Sequence, residues 1–333
     1  ALTRVLFGDD EPSGRLAETF PLAIEDVPSQ PWFPGELRQS QYREGIWVGY
    51  RYFDTAGVPV RFPFGHGLSY TRFEYEALHL EGPSDGASDD AHHRLREDDS
   101  LALTLTLGNV GERAGAEVVQ VYVGQRNASA PRPRRELRAF AKVRLEPGES
   151  TRVAFDLDWR AFARWSVEAH RWIVEADEYE ISVGASVADI RLRECVFIDG
   201  GTPLGARDPA LSAYFEPRDR AFDDASFSAL LRHPIPEPLP RRPYQLNSTL
   251  LEVRDSHLGS LLRQAVLAAV RQSFGEDDAL SRRLAEAIVD QMPLRMVVRQ
   301  SGGRISPRLM RRLIHAMNGD WRKLLSDAPV ASR

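Results

Sequence analysis

The strongest constraint on the fold is a regular alternation that begins at residue 101. Leu101, Leu103, Leu105 and Leu107 are each separated by one smaller residue, Ala or Thr. Successive side chains of a β-strand point to opposite faces, so this spacing predicts a strand with one buried face.

Six further segments resemble strands and are joined by turn-forming residues such as Asn, Gly and Pro. We predict strands at residues 69–80, 117–124, 137–145, 152–157, 171–175 and 179–184. The side chains expected to point inward on two of them are Leu137, Ala139, Ala141, Val143 and Leu145, and Val153, Phe155 and Leu157. Seven short strands with no long helix among them predict a β-sandwich of the immunoglobulin or fibronectin type.

Residues 1–75 are rich in aromatics and turn formers but contain no long periodic element. The strands expected there are 45–53 and the start of 69–80. Residues 1–8 have the pattern of the end of an amphipathic helix, with Gly8 as its stop and no N-cap before it. We therefore expect this segment to be the tail of a truncated domain that packs over a neighbour. Residues 82–100 are polar and acidic, and we expect a mobile loop.

The last third of the chain changes to helical periodicity. Five prolines between residues 232 and 246 predict an extended connector. Ser256 is the expected N-cap of a helix over 257–274, with Leu258, Leu261, Leu262, Ala265, Ala269 and Val270 on one face. Asp278 is expected to cap a second helix that ends near Met292. Ser306-Pro307 is expected to open a third, with Leu309, Met310, Leu313, Ile314 and Met317 inward and Asn318-Gly319 as its stop.

Charge and cysteine content exclude several classes of function. The formal net charge is −5 and the pI is near 6.0, so we expect neither a nucleic-acid partner nor an anionic membrane. No apolar run approaches the roughly 18 residues of a membrane span. Cys195 is the single cysteine, which rules out an internal disulfide, and we expect a buried structural thiol. These features favour a cytoplasmic protein, with secretion as the alternative.

The sequence contains none of the local catalytic or cofactor-binding motifs that can be recognised by spacing. His92-His93 lie in the acidic loop without fixed geometry, so we expect solvated histidines and no metal site. The adjacent carboxylates are better explained by capping and solvation than by glycosidase chemistry, which needs two carboxyl groups across a pocket. These pairs are Asp9-Asp10, Asp89-Asp90, Asp98-Asp99 and Asp277-Asp278.

Three other patterns each have a structural and a functional interpretation. Ser301-Gly302-Gly303-Arg304 is expected to be a plain interhelical turn, with an anion cradle as the alternative. A second group has the residue types that line sugar sites, but aromatic packing at a domain boundary is favoured: Tyr42, Arg43, Glu44, Gly45, Trp47, Tyr50, Arg51 and Tyr52. Asn127 and Asn247 begin formal glycosylation sequons, which matter only in a secretory eukaryotic setting.

Several stretches together resemble glycoside hydrolase family 3, the β-glucosidase-like enzymes. Leu6-Phe7-Gly8, Pro12-Ser13-Gly14-Arg15-Leu16 and Glu18-Thr19-Phe20-Pro21 resemble the close of that family's α/β-sandwich domain. The joining segment is matched by residues 42–53 and 62–71. The fibronectin-III-like domain is matched by residues 109–111, 115–123 and 145–149. The helical tail is similar to a C-terminal extension of some bacterial members, mainly through residues 292–295, 301–303 and 318–319.

The resemblance implies a multidomain chain: a fragment of an α/β domain, an all-β immunoglobulin/fibronectin-III-like sandwich and a small α-helical unit. The expected segments are 1–75 (tail of the α/β-sandwich domain and connecting segment), 76–200 (sandwich), 201–250 (Pro-rich connector) and 251–333 (helical extension).

For function, the resemblance implies a retaining glycosidase with an Asp nucleophile and an acid/base carboxylate. In the family both lie upstream of Leu6-Phe7-Gly8. We therefore expect no catalytic, cofactor-binding or metal-binding residue here, no cofactor, and a chain that is inactive by itself. The residues that contact substrate are unknown.

The implied partner is a carbohydrate, bound through the missing catalytic domains, and a homo-oligomer is possible. The alternative is a free-standing carbohydrate-binding or adhesion module. Such a module would need an exposed aromatic row, for which Trp159, Trp165 and Trp172 are candidates that we expect instead in the core.

Overall fold

The structure is a computed structural model that describes residues 2–35, 39–83, 93–199, 201–219, 222–274 and 279–322. The chain forms two compact units. The first contains residues 1–33 and 42–235, and the second contains residues 34–41 and 236–333.

The first unit is built mainly from β-strands. Its helices are α1 (Leu2–Leu6), α2 (Tyr50–Ala56), α3 (Ser212–Phe215) and α4 (Asp224–Leu231). Its strands are β1 (Phe20–Pro21), β2 (Val60–Phe62), β3 (Phe73–Glu81), β4 (His93–Arg96), β5 (Leu101–Asn109), β6 (Gly115–Gln125), β7 (Glu136–Leu145), β8 (Ser150–Leu157), β9 (Arg164–Ser166), β10 (Arg171–Ile173), β11 (Glu178–Gly184) and β12 (Ile190–Asp199).

Eight of these strands form the two sheets of a sandwich. One sheet has the order β4-β12-β11-β6-β7, and the other has the order β3-β5-β8. Their neighbouring strands are antiparallel except for β4, which lies parallel to β12. Two separate two-stranded sheets, β1-β2 and β9-β10, complete the strand pairing described for this unit.

The core lies between the two sheets, where the alternating side chains of facing strands meet. Leu101, Leu103, Leu105 and Leu107 are at most 1 % exposed, which confirms the strand that the leucine spacing predicts. The predicted inward face of β8 is confirmed, since Val153, Phe155 and Leu157 are buried. On β7, Leu145 is buried and Ala139, Ala141 and Val143 pack against the core. Leu137 was also expected inward, but a register shift pairs it with Tyr122 and it is not part of the core. Burying this much apolar surface is the main stabilisation of the sandwich.

The strand prediction fails at three places. The predicted strand 171–175 forms the separate hairpin β9-β10, while β12 and β4 join the sandwich without having been predicted. Both missed strands carry charged residues at exposed positions, as in Arg191 and Arg193, and β4 lies in the segment expected to be a loop. Their burial depends on neighbours that are distant in sequence, so local pattern does not reveal them.

The predicted strand 45–53 is wrong, because these residues form a turn followed by α2. Gly49 precedes the helix with φ 55°, and Gly57 ends it in the left-handed region. Glycine adopts such angles without the steric cost that other residues incur. Two aromatic residues of this helix, Tyr52 and Phe53, are buried.

The segment between α2 and β3 covers the outer face of β6. Gln120 and Tyr122 point away from the sandwich core yet are at most 3 % exposed. The Gln120 side-chain amide donates to the carbonyls of Gly65 (3.3 Å) and Ala185 (2.6 Å), and the Tyr122 ring packs edge-on against Tyr50. β6 is therefore buried on both faces.

The second unit is helical: α5 (Leu250–Val253), α6 (His257–Phe274), α7 (Ala279–Asp290), α8 (Leu294–Gln300) and α9 (Pro307–Met317). The bounds of α6 and the start of α9 are as predicted. The Ser256 hydroxyl accepts from the Gly259 amide, and the Ser306 hydroxyl accepts from the Leu309 amide. The predicted cap Asp278 lies outside the described residues.

The buried face of α6 is rotated from the one predicted. Leu261, Ala265 and Ala269 are exposed, whereas Val266 and Leu267 contact the core of this unit. Leu309 of α9 was also expected inward and is 41 % exposed. Ala and Leu occur on both faces of these helices, so periodicity alone did not distinguish the face that packs.

Residues 201–250 contain more structure than the expected connector. Helices α3 and α4 lie there, and their Tyr214 and Phe227 are buried. The proline-rich residues 234–243 form no helix or strand, as predicted.

Candidate docking surface and its anchors

The first unit carries many apolar side chains that face solvent, and a large group of them lies within residues 2–70. We call this set the N-terminal apolar surface. Its members are at least 40 % exposed: Leu2, Leu6, Phe7, Phe20, Leu22, Ile24, Phe33, Tyr42, Ile46, Val48, Phe62, Leu68 and Tyr70. Large exposed apolar areas mark sites of association with another protein surface.

Buried polar contacts fix the same segment to the sandwich. Arg15 forms an ion pair with Glu117 of β6 at 2.6 Å, with both side chains at most 10 % exposed. The Glu11 carboxylate accepts from the Ala116 amide (2.9 Å) and from the Ser69 hydroxyl. Moving the segment away would leave the buried charge of Glu117 without its partner, which is unfavourable. These contacts therefore hold the segment in one position.

Two parts of the N-terminal apolar surface have defined local geometry. Phe20 and Phe62 face each other across β1 and β2 with ring centroids 6.2 Å apart, and His66 stacks on Phe62 at 5.2 Å. The Tyr70 hydroxyl donates to the carbonyl of Val5 at 2.6 Å, which holds α1 against the sandwich.

The group that resembled a sugar site is mostly buried packing. Arg43 is 4 % exposed, lies 3.7 Å from the Trp32 ring centroid and pairs with Asp224 at 2.6 Å. Trp47 and Tyr52 belong to a second buried cluster whose other large members are Phe53, Tyr214 and Phe222. The favoured interpretation as aromatic packing agrees with this arrangement, but the partner is residues 211–230 of the same chain.

The other members of that group also have structural partners or face solvent. Glu44 is buried, Gly45 adopts φ 56°, and Tyr42 is exposed. The Tyr50 hydroxyl accepts from the Leu137 amide at 3.0 Å, and Arg51 lies 3.3 Å from Glu136. These contacts engage the polar groups of Tyr50 and Arg51 within the chain.

A buried ion pair links α2 to the start of β7. Asp54 and Arg135 lie 3.1 Å apart, with side chains 16 % and 4 % exposed. Burial raises the pKa of Asp54 despite the neighbouring Arg135, and it lowers the pKa of Arg135. Both shifts express the cost of keeping charges out of water.

Glu175 is the centre of a second buried polar network and is 1 % exposed. Its carboxylate accepts from Arg164 (2.6 Å), from Gln125 (2.9 Å) and from the Ser129 hydroxyl. Burial opposes ionisation, but these hydrogen bonds outweigh it and lower the pKa of Glu175 to about 2. Glu175 is therefore a structural anion whose oxygens are fully engaged.

The paired carboxylates of the sequence lie at turns or outside the described residues. Asp10 pairs with Arg4 at 2.8 Å on the surface, and Asp99 accepts from the Arg96 amide after β4. The pairs Asp89-Asp90 and Asp277-Asp278 are not described, and neither are His92 and the side chain of His93.

Ser301-Gly302-Gly303-Arg304 forms a turn between α8 and α9. The Ser301 hydroxyl donates to the carbonyl of Val298 and accepts from the Ile305 amide. Both glycines have positive φ, 60° and 87°. The local hydrogen bonds close the turn on itself, as in the favoured interpretation.

Cys195 and the tryptophans differ from expectation. The Cys195 thiol on β12 is half-buried, and burial raises its pKa to about 11. The protonated thiol therefore dominates near neutral pH, and the thiolate is the nucleophilic form. Trp159 packs against the core, but Trp165 and Trp172 are each 49 % exposed, which corrects their expected burial. They form a cross-strand pair on β9-β10 with centroids 5.8 Å apart.

The two sequons have no common structural role. The Asn127 side chain donates to Asp177 at 3.0 Å, whereas Asn247 is exposed.

The described residues contain no group of three or more His, Cys, Asp or Glu side chains that could hold a metal ion. None of the helices in the same part of the chain combines the length and the apolar character needed to cross a bilayer.

Comparison with known proteins identifies the sandwich first. Residues 117–187 match the model of the fibronectin type III-like domain. These residues run from β6 to the turn after β11, so the strand pairing and the match describe the same domain.

Similar proteins then define the family. The thermostable β-glucosidase B of Acetivibrio thermocellus is 33 % identical over 318 residues, which are 96 % of this chain and 36 % of that protein. A β-glucosidase of Rhizobium radiobacter is 45 % identical over 195 residues, covering 57 % and 22 % of the two chains. The crystal structure of a Bifidobacterium adolescentis GH3 β-glucosidase superposes with a TM-score of 0.53 and 36 % identity, over 78 % of this chain and 31 % of that one.

This chain therefore matches a C-terminal portion of the β-glucosidases of glycoside hydrolase family 3. It spans about a third of the length of the Acetivibrio relative.

Sequence reasoning missed the residues that anchor the N-terminal segment. Glu11 and Arg15 are single charged residues in an irregular part of the chain, without a repeating pattern. One local signal exists, since Glu117 occupies a position in β6 that is otherwise apolar, and a charge there requires a partner.

Proposed function

We propose that this chain is the non-catalytic C-terminal part of a retaining β-glucosidase-like hydrolase. The observation that carries the proposal is the N-terminal apolar surface, which is held on the sandwich by buried ion pairs while its side chains face solvent. A surface fixed in place but uncovered is suited to support another domain. The sandwich would thus stabilise the part of the parent that performs hydrolysis.

The proposed substrate class of the parent is carbohydrate, and the proposed reaction is hydrolysis of an O-glycosidic bond. This rests on the relatives, which are named β-glucosidases, and on the family that the chain matches. Retaining hydrolysis needs a nucleophile and an acid/base carboxylate about 5 Å apart across the bond that is cut.

We propose that neither carboxylate belongs to this chain. Three buried carboxylates have cationic partners: Glu175 with Arg164, Glu117 with Arg15, and Asp54 with Arg135. A nucleophile must be free to form a bond to the sugar, and these groups are held by ion pairs.

Location and assembly are further parts of the proposal. We propose a cytoplasmic protein, supported by the single cysteine, with no nucleic-acid or membrane partner given the net charge of −5. A homo-oligomer is supported by the exposed apolar side chains of residues 2–70.

The direct test is hydrolysis of p-nitrophenyl β-glucoside by the purified chain. We expect no turnover above the buffer blank, because the proposal places both reacting carboxylates elsewhere. The matched control is an intact family 3 β-glucosidase under the same conditions. Turnover that co-purifies with the folded chain would refute the proposal.

A second candidate function, a carbohydrate-binding module, is favoured by the exposed pair Trp165 and Trp172. Sugar rings stack on exposed aromatic faces, and this pair offers half of each indole to solvent. Native gel electrophoresis in gels containing β-glucan distinguishes the two. Retardation that disappears in Trp165→Ala/Trp172→Ala but persists in Trp159→Phe would establish binding through this pair.

A further inference from the structure

The α8–α9 hairpin of the second unit carries a concentrated positive charge. Residues 291–322 contain seven arginines and one aspartate, in a chain whose formal net charge is −5. The rest of the chain therefore carries a formal charge of −11. We call five of these residues, all exposed, the arginine surface: Arg295, Arg299, Arg304, Arg308 and Arg311.

Several other arginines of the same unit have ion-pair partners. Arg263 pairs with Asp290 at 2.5 Å, Arg271 with Glu286 at 2.7 Å and Arg241 with Asp255 at 3.0 Å. Within the described residues, none of the five has a carboxylate within 4.0 Å. Since they lie within 17 residues on two short helices and one turn, their charges repel each other.

A complementary surface exists on the outer face of the sheet β3-β5-β8. Its exposed carboxylates are Glu74, Glu76 and Glu81 on β3 and Asp156 on β8. The centre of this face has small side chains, because β5 and β8 present Ala102, Thr104, Thr106 and Ala154 there. His79 and Arg152 are the basic residues on this face, and Arg152 donates to Thr104 at 3.1 Å.

This acidic face is suited to receive arginine side chains. Its small central residues leave room for long guanidinium groups, and carboxylates accept two parallel hydrogen bonds from arginine. The strand β3 is also the edge of its sheet, where acidic residues discourage pairing with another strand but not with a basic surface.

We propose that the arginine surface of one copy of this chain binds the acidic outer face of the sheet β3-β5-β8 of a second copy. The contact joins two different surfaces. Two copies can therefore form a closed dimer with two such contacts, or further copies can add to form a longer assembly. Its attraction is electrostatic and weakens with salt, in contrast to association through the N-terminal apolar surface, which salt does not weaken.

Analytical ultracentrifugation of the full chain at low and high ionic strength tests the dependence on salt. We expect association at low salt and at least a tenfold weaker association constant at high salt. A monomer at low salt, or association that is unchanged or strengthened by salt, would overturn the proposal.

Charge reversal identifies the two surfaces. Arg308→Glu/Arg311→Glu and Glu74→Arg/Glu76→Arg should each lower the low-salt association constant at least tenfold. The control Arg254→Glu, an exposed arginine outside the arginine surface, should leave it within twofold. A mixture of the two double variants should restore association, because each supplies the surface that the other has lost. Circular dichroism verifies that both are folded, and a monomeric mixture of folded variants contradicts the proposal.

A filter-binding assay with double-stranded DNA and with heparin tests the alternative that the arginine surface binds a polyanion. We expect any retention to be much weaker than self-association at the same salt. If the chain retains either polymer tightly and remains monomeric, the proposal is overturned, and the partner of the arginine surface is a polyanion.

Discussion

At the scale of single residues, Glu175 shows how a charge can stabilise a core. It is 1 % exposed, yet hydrogen bonds from Arg164, Ser129 and Gln125 favour its ionised form. Its pKa is about 2 in the folded chain and about 4.5 when unfolded. Stability from this group is therefore present above about pH 4.5 and is lost as the pH falls towards 2.

Glu175→Gln should remove this acid-dependent contribution, about 3 kcal/mol near neutral pH, because Arg164 then loses its buried partner. Urea unfolding between pH 2 and pH 7 measures it. The control Glu168→Gln changes an exposed carboxylate paired with Arg232 and should have little effect. If Glu175→Gln unfolds at the wild-type urea concentration at neutral pH, the network does not stabilise the chain.

Position 65 requires glycine for two reasons, its backbone angle and the lack of room for a side chain. Its φ is 81°, and a Cβ at this position would collide with the Gln120 side-chain amide. Gly57 also has positive φ, 65°, but nothing lies within 4 Å of its added Cβ.

Gly65→Ala should destabilise the first unit by about 3 kcal/mol, since strain adds to the displacement of Gln120 from its two carbonyl partners. Gly57→Ala should lower the free energy of unfolding by only about 1 kcal/mol, because only the positive φ is unfavourable there. Thermal unfolding of both variants measures the difference. Equal losses of stability would mean that the contact with Gln120 is unimportant.

At the scale of elements, strong local patterns were sufficient for some strands and insufficient for others. The alternation of leucines in β5 and the capped start of α6 determine those elements almost alone. In contrast, β12 has charged residues on its exposed face and β4 has only four residues, so each depends on pairing with a neighbouring strand. The helix α2 was predicted as a strand because its aromatics suit either structure, and the two flanking glycines decide it.

Leu105→Asp tests the register of β5. Leu105 is 1 % exposed in the sandwich core, so an unpaired carboxylate there should cost several kcal/mol, of the order of 3 or more. The neighbouring Thr106→Asp lies on the outer face and should be tolerated. Urea denaturation compares the two. A Leu105→Asp variant as stable as Thr106→Asp would show that the register is wrong.

At the scale of the whole molecule, the family was recognisable from sequence, but the way residues 2–70 are held was not. The motifs between residues 6 and 71 form the irregular segment that covers β6, and their aromatic and glycine residues meet partners far away in sequence, such as Tyr122 and Gln120. Such contacts leave no periodic signal. The N-terminal apolar surface could not be predicted for the same reason. Which apolar side chains are exposed, and which buried residues anchor them, depends on the three-dimensional fold.

The central claim is that this chain provides structural support for catalysis and none of the reacting groups. A chimaera tests it most directly: the 195-residue segment of the Rhizobium radiobacter β-glucosidase that matches this chain is replaced by the corresponding residues of this chain. We predict that the chimaera hydrolyses p-nitrophenyl β-glucoside with a kcat close to that of the parent, whereas deletion of the segment abolishes activity. A chimaera that is folded, as judged by circular dichroism, and binds glucose but has lost hydrolysis would contradict the claim, because a reacting group would then belong to the exchanged segment.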